Sequence, residues 1–247
     1  MRICALIPVY NHEHAIATVV QQVLAQGLPC ILVDDGSHAA CRQVLERLQA
    51  EHAETVTLLR LPVNQGKGGA VLAGMQAAMD TGFTHALQID ADGQHDTNAI
   101  ADFIAASQMQ PDAVICGYPH YDASVPRARL YGRYATHVWV WINTLSLRIR
   151  DSMCGFRLYP LAATLAVANK NHIGRRMDFD TEILVRMDWA GIRIVNRPIR
   201  VSYPLDGVSH FDALHDNLRI SLMHTRLFFG MLPRSPRLLW RLLRGEN

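Results

Sequence analysis

The chain has 247 residues, a 49% apolar composition and a formal net charge of +2. That length suits one large α/β domain rather than two independent ones, and the apolar share supports a packed core rather than disorder. A balance so near zero gives no general argument for nucleic-acid binding, and no nucleic-acid partner is expected. The charge is unevenly placed, since from Ala213 onward six arginines face only Asp216 and Glu246.

Met1-Arg2-Ile3 runs directly into a short strand, unlike a signal peptide, and no apolar run approaches the roughly 20 residues of a membrane span. Strands are predicted at Ile3–Val9, Cys30–Val33, Val56–Leu59, Ala86–Ile89 and Ala113–Cys116. Between them helical periodicity marks Ala15–Ala25, Arg42–Ala50, Gly68–Met79 and Ala99–Ala106. Such alternation predicts an α/β fold, a mostly parallel central sheet with helices on both faces. The second half is less regular. Long and short helices are predicted at Arg127–Leu147 and Asp180–Trp189, an extended piece at Gly155–Tyr159, and strands at Ile192–Val195 and Ile199–Tyr203. Leu214–Met231 and Arg237–Leu243 are amphipathic and basic. The expected division is a domain over 1–212 followed by a basic helical segment over 213–247. Five scattered cysteines (Cys4, Cys30, Cys41, Cys116 and Cys154) with no C-x-x-C pair read as buried thiols of a reducing cytoplasm.

Ligands on such sheets bind beyond the carboxyl ends of the strands. Three polar strand exits fall there: Pro8-Val9-Tyr10-Asn11, Asp34-Asp35-Gly36-Ser37 and Asp90-Ala91-Asp92-Gly93-Gln94. The last places two carboxylates one residue apart, a pattern that can face Mg²⁺ or Mn²⁺, hard cations that keep phosphate oxygens as partners. The second exit serves equally as a capped strand-to-helix turn or as an acceptor for ribose and base hydrogen bonds. Asn64-Gln65-Gly66-Lys67-Gly68-Gly69 opens a helix with glycines and one positive charge, suited to a nucleotide phosphate. It fails both the Walker frame and G-x-G-x-x-G, which argues against P-loop and NAD chemistry.

These motifs, together with Gly155-Phe156-Arg157, occur in the order found in family 2 glycosyltransferases, and the chain resembles their dolichol-phosphate mannosyltransferase-like branch over about residues 1–205. The resemblance implies a GT-A (Rossmann-like) fold, a UDP- or GDP-linked sugar donor and a divalent metal held by Asp90, Asp92 and Gln94. It also implies a nucleotide lying against Pro8, Tyr10, Asp35 and Lys67 with Asp34 in support; Asn11 and Ala91 belong to the same donor motifs. The chain departs from the branch at His12, which precedes Glu13, and at Gly117-Tyr118-Pro119, which lacks an arginine. The Q-x-x-R-W element of processive synthases is absent, which argues against polymer synthesis.

Arg127, Arg129 and Arg133 share a predicted helix, either as a solvated face or as a clamp on an anionic acceptor, and Arg157 either holds a ligand or forms a structural ion pair. Asp178-Phe179-Asp180-Thr181-Glu182 is an acidic helix start, and it falls where inverting family members place a catalytic base. A lipid phosphate, already an oxyanion near neutral pH, needs no base; a hydroxyl acceptor needs one, with Asp180 ahead of Asp178. Those two and Asp92 form the candidate catalytic set. Gly207-Val208-Ser209-His210-Phe211 reads either as a turn and helix entry or, from its position after the last predicted core strand, as a loop closing over the donor diphosphate with His210 as a hydrogen-bond donor. The expected activity is inverting transfer of a hexose to a polyprenyl phosphate or other lipid, by an enzyme peripheral on the cytoplasmic face of a membrane. A hydroxyl acceptor, nucleotidyl transfer and non-catalytic nucleotide-sugar binding are the alternatives. Beyond Pro233, arginines with Leu239 and Trp240 suit an interfacial helix on an anionic membrane.

Overall fold

The computed structural model describes residues 1–120, 127–202 and 212–244, with backbone alone at 127–131 and 213. The first half alternates as expected: β1 (Ile3–Val9), α1 (Ile16–Ala25), β2 (Cys30–Asp34), α2 (Ala39–Glu51), β3 (Val56–Arg60), α3 (Lys67–Asp80), β4 (His85–Gln88), α4 (Ile100–Met109) and β5 (Val114–His120). Then follow α5 (Arg127–Thr144), β6 (Arg157–Pro160), α6 (Leu161–Lys170), α7 (Phe179–Trp189), β7 (Ile194–Arg200), α8 (Ala213–Met231) and α9 (Ser235–Leu243).

The strands form one sheet in the order β3-β2-β1-β4-β6-β5-β7. All neighbours are parallel except β6, which runs antiparallel between β4 and β5. Side chains alternate between the two faces with period two. Cys4, Leu6, Ile31 and Val33 therefore join one apolar layer with Val71 and Met75 of α3, Leu161 of α6 and Phe179 of α7. Ala5, Ile7, Cys30 and Leu32 join the other, with Val20 of α1, Leu45 of α2 and Phe103 of α4. All five cysteines are buried thiols.

The reversed β6 matters for the site. Its first residue, Arg157, pairs in register with Gln88, the last residue of β4. An antiparallel strand thus starts where its parallel neighbours end, and it brings Gly155-Phe156-Arg157 to the carboxyl edge.

Two expectations change. The strands predicted at Ile192–Val195 and Ile199–Tyr203 are one strand, β7, and Tyr203 lies outside the described residues. Pro198 is tolerated inside it because β7 is an edge strand whose outer side needs no ladder hydrogen bond. Helix α6 was not predicted, since Leu161–Lys170 is alanine-rich and lacks a polar stripe; it buries Leu161, Thr164, Leu165 and Val167. Helix α8 places Met223, Leu227 and Met231 in the same apolar layer as α3 and α7, so the C-terminal segment shares the core of the sheet domain. Each such side chain contributes about 1.5–3 kcal/mol on full burial.

Candidate active site

The exits of β1 and β2 are tied together by short polar bonds. Asn11, at φ 54°, donates its N–H to Ser37 Oγ at 3.1 Å, and its side-chain oxygen accepts from His38 N–H at 2.9 Å. Asp34 is fully buried; it accepts from Ser37 N–H at 2.8 Å and from Arg60 Nε at 3.0 Å. Asp35 accepts Gln65 N–H at 2.6 Å and Gly66 N–H at 2.9 Å, so it holds the glycine loop in place. Burial raises its carboxyl above the ordinary value, against those two bonds and the charge of Arg176. Pro8 and Tyr10 stand half-buried at the same edge. The ladder between β1 and β4 ends at Leu6–Gln88, so the missing N–H of Pro8 costs no strand pairing.

Lys67, the first residue of α3, gathers the motifs. Its ammonium lies 2.8 Å from Asp90 Oδ1 and 2.7 Å from Asp180 Oδ2. Burial works to lower its pKa, but Asp180 and then Asp90 outweigh that and hold it above the ordinary lysine value. Gln88 donates to Asp180 Oδ1 at 3.1 Å, and Arg157 Nη1 donates to the Asp180 carbonyl at 2.6 Å and to Tyr159 Oη at 3.2 Å. Arg157 is fully buried and its Nη1 lies 3.8 Å from Asp180 Oδ1. Gly155 is required by close approach, because a Cβ there would collide with the carboxylate of Asp90. Gly66 is required by its φ of +85° at the mouth of α3.

Asp90 and Asp92 titrate in opposite directions. Burial pushes Asp90 up, yet Lys67 and then His95 together outweigh it and hold the carboxyl low. Asp92 is raised by burial and then by the charge of Asp90, against a hydrogen bond to its Oδ1 from Gln94 N–H at 3.0 Å. Burial lowers His95, whose Nε2 lies 3.8 Å from Cys154 Sγ and whose ring meets Phe156 edge-on at 5.5 Å. A polar cavity of about 480 Å³, lined by Gln22, Gln94, His95 and Asn98 among others, runs beside α1; Lys67 and Asp180 do not line it.

Several expected residues have other partners. Ala91, in the turn after β4, packs its methyl into the apolar layer and is 2% exposed. It offers the donor no side chain. Arg133, expected on a phosphate, gives Nε and Nη2 to Asp151 at 2.6 and 2.8 Å. Asp151 also accepts from Met153 and Cys154 N–H, so this pair braces the turn beneath Asp90. Asp180, expected as the stronger base candidate, has both carboxylate oxygens engaged by Lys67 and Gln88. Asp178 accepts from Arg176 N–H at 3.1 Å and is buried. His210 lies outside the described residues, as do the side chains of Arg127 and Arg129.

Sequence reading missed Arg175 and Arg176. Both are exposed on the connection between α6 and α7, laid over the glycine loop. Arg176 Nη1 donates to Asn64 Oδ1 at 3.2 Å, and the Arg175 carbonyl accepts from Gly69 N–H at 3.0 Å. Their signal was an arginine pair just ahead of the acidic helix start, which only the fold places beside Asp35. Gln88 was missed as well; it is a fully buried amide at a strand end.

Residues 4–173 match the family model for glycosyl transferase family 2. The chain belongs to that family. It is 29% identical over 206 residues to dolichyl-phosphate beta-glucosyltransferase of Drosophila melanogaster, covering 74% of this chain. The chain spans 62% of the length of that relative. It is 26% identical over 213 residues to undecaprenyl-phosphate mannosyltransferase of Micrococcus luteus, covering 81% of this chain and 83% of the other. Glucosyl-3-phosphoglycerate synthase of Mycobacterium tuberculosis, solved with Mn²⁺ and UDP-glucose, superposes with a TM-score of 0.64 at 14% identity, over 93% of this chain and 78% of that one. The fold of the family 2 chain is therefore GT-A.

Proposed function

We propose that this family 2 chain transfers a hexose, with inversion, from a nucleoside diphosphate sugar to a polyprenyl phosphate. The observation that carries the acceptor is the engagement of Asp180 by Lys67 and Gln88, with Asp178 held at Arg176. A hydroxyl acceptor needs a carboxylate poised to take its proton. A phosphate monoester brings its own anionic oxygen. The relatives named for dolichyl and undecaprenyl phosphate act on that class of acceptor, which supports the same choice.

The donor fits the carboxyl edge. Asp90, Asp92 and Gln94 would hold a divalent Mg²⁺ or Mn²⁺, and the donor set suits it: hard oxygens, with the Asp90 carboxylate already in contact with a cation, the Lys67 ammonium, and Asp92 tied to Gln94 N–H. When bound, the cation neutralises charge on the departing diphosphate. Pro8, Tyr10 and the loop held by Asp35 would bind the nucleotide, while Lys67, Arg175 and Arg176 add positive charge along the diphosphate.

A membrane surface as partner is supported by the C-terminal helices. Leu214, Leu218, Leu222 and Phe229 of α8 are exposed on the helix that packs against α5, where Tyr134, Val138 and Trp139 are exposed too. On α9 the arrangement is inverted: Arg241 is buried on Asp188 while Leu239, Trp240 and Leu243 face outward with Arg237 and Arg244. Among the described residues no helix is long and apolar enough to cross a membrane, so the contact proposed is interfacial.

The test supplies the full chain with Mn²⁺ and labelled UDP-glucose or GDP-mannose, and offers a polyprenyl phosphate beside the free polyprenol of equal length. Transfer is expected to the phosphate alone. Equal transfer to the alcohol would reject the acceptor argument, and a base would have to be sought.

A further inference from the structure

Lys67 stands between two carboxylates with different duties. Asp90 belongs to the pair that would hold the cation, whereas Asp180 lies at the start of α7 and is already held by Gln88 and Arg157. An ammonium 2.8 Å from Asp90 Oδ1 neutralises the carboxylate that a divalent cation needs, and like charges at such range repel strongly in a partly buried site. The lysine side chain is a long flexible stem with a point charge at its end, so it can leave Asp90 while keeping Asp180. Its backbone opens α3, next to the glycine loop where a donor diphosphate would lie.

We propose that Lys67 is a resident counter-ion whose release from Asp90 couples cation binding to donor binding. Without donor, the ammonium holds Asp90 and disfavours the cation. With donor present, the diphosphate offers Lys67 a replacement anion, and Asp90 becomes available. Asp180 acts as the fixed anchor in both states, which gives its buried carboxylate a positioning role in place of a base. This rests on the donor reading above and adds an order to it: cation and nucleotide enter together, and neither binds well alone.

Calorimetry of Mn²⁺ binding to the full chain, alone and then with UDP or GDP, tests the idea. Lys67→Met is expected to bind Mn²⁺ alone about tenfold more tightly than wild type and to lose most of the gain that nucleotide brings. Lys170→Met, which removes an exposed charge at the end of α6, stays close to wild type. Asp180→Asn leaves the ammonium to Asp90 and weakens Mn²⁺ binding alone; this variant decides the matter where Lys67→Met does not fold. Should Lys67→Met bind Mn²⁺ alone no better than wild type, or Asp180→Asn bind it no worse, the inference is overturned while wild-type binding of Mn²⁺ with nucleotide keeps the donor reading. Wild-type protein that binds no Mn²⁺ even with UDP and GDP overturns both.

Discussion

The carboxyl edge of the sheet and the C-terminal helices solve opposite problems. At the edge, buried charged groups are paired, Lys67 with Asp90 and Asp180, Asp34 with Arg60, Arg133 with Asp151, while Asp92 accepts from Gln94 N–H. On α8 and α9, apolar side chains such as Leu218, Leu222 and Trp240 are left exposed while Arg241 is buried. Buried ions persist only when paired, and exposed apolar stripes are stable only when something else covers them. The first region is thus complete within the chain except for a ligand of matching charge, whereas the second calls for an apolar surface from outside. Glu182 joins the two. From α7 it accepts two bonds from Arg186 (2.8 and 2.7 Å), one from Arg226 of α8 (2.6 Å), and one from Gly174 N–H in the arginine-bearing connection (2.9 Å).

The largest effect of a single substitution is expected at the edge. Asp92→Ala should lower transfer by more than about a thousandfold while leaving the melting temperature nearly unchanged, since its carboxylate serves the ligand rather than the fold. Activity near wild type would remove the metal-binding reading. Glu182→Ala should cost about 3 kcal/mol in urea unfolding, because it leaves the largely buried Arg186 without its carboxylate and Gly174 N–H without its acceptor, whereas the half-exposed Arg226 can turn to water. A loss below about 1 kcal/mol would mean that α8 does not depend on this joint.

A pH effect is expected at the interface of α5 and α8. Burial pushes His224 down to about 4, with Asn143 Nδ2 at 3.3 Å from its Nδ1 and Trp139 stacked on its ring. The folded protein therefore resists protonating a group that the unfolded chain protonates near pH 6.5. Stability from this histidine is full above about pH 6.5, is lost as pH falls toward 4, and amounts to about 3 kcal/mol. Denaturant titrations at pH 7 and pH 4.5 should show that loss in wild type and a smaller one in His224→Gln. Equal pH dependence in the two proteins would place the proton elsewhere. The smallest effect on folding is expected from Leu218→Glu with Leu222→Glu, which should change stability by less than about 1 kcal/mol yet reduce sedimentation with anionic vesicles about tenfold or more. Unchanged sedimentation would take the membrane off this face.

The sheet, its order of alternation and the three polar exits were legible in the sequence because each depends on local signals: β-branched runs, period-two burial and turn residues. The motif residues Asp90, Asp92 and Lys67 were legible for the same reason, since their spacing along the chain already implied a shared edge. What spacing could not supply was pairing. Nothing local says that Lys67 reaches Asp180, that Arg133 is bound to Asp151, or that Arg175 and Arg176 lie over the glycine loop, because those partners come from elements far apart in sequence. The sense of β6 was equally hidden, as strand direction depends on where the chain returns. By itself the sequence determined the family, the sheet and the chemistry available at its edge. Tertiary structure alone decided which charges are already engaged and which wait for a ligand, because a buried charge acquires its role only from the neighbours that folding brings to it.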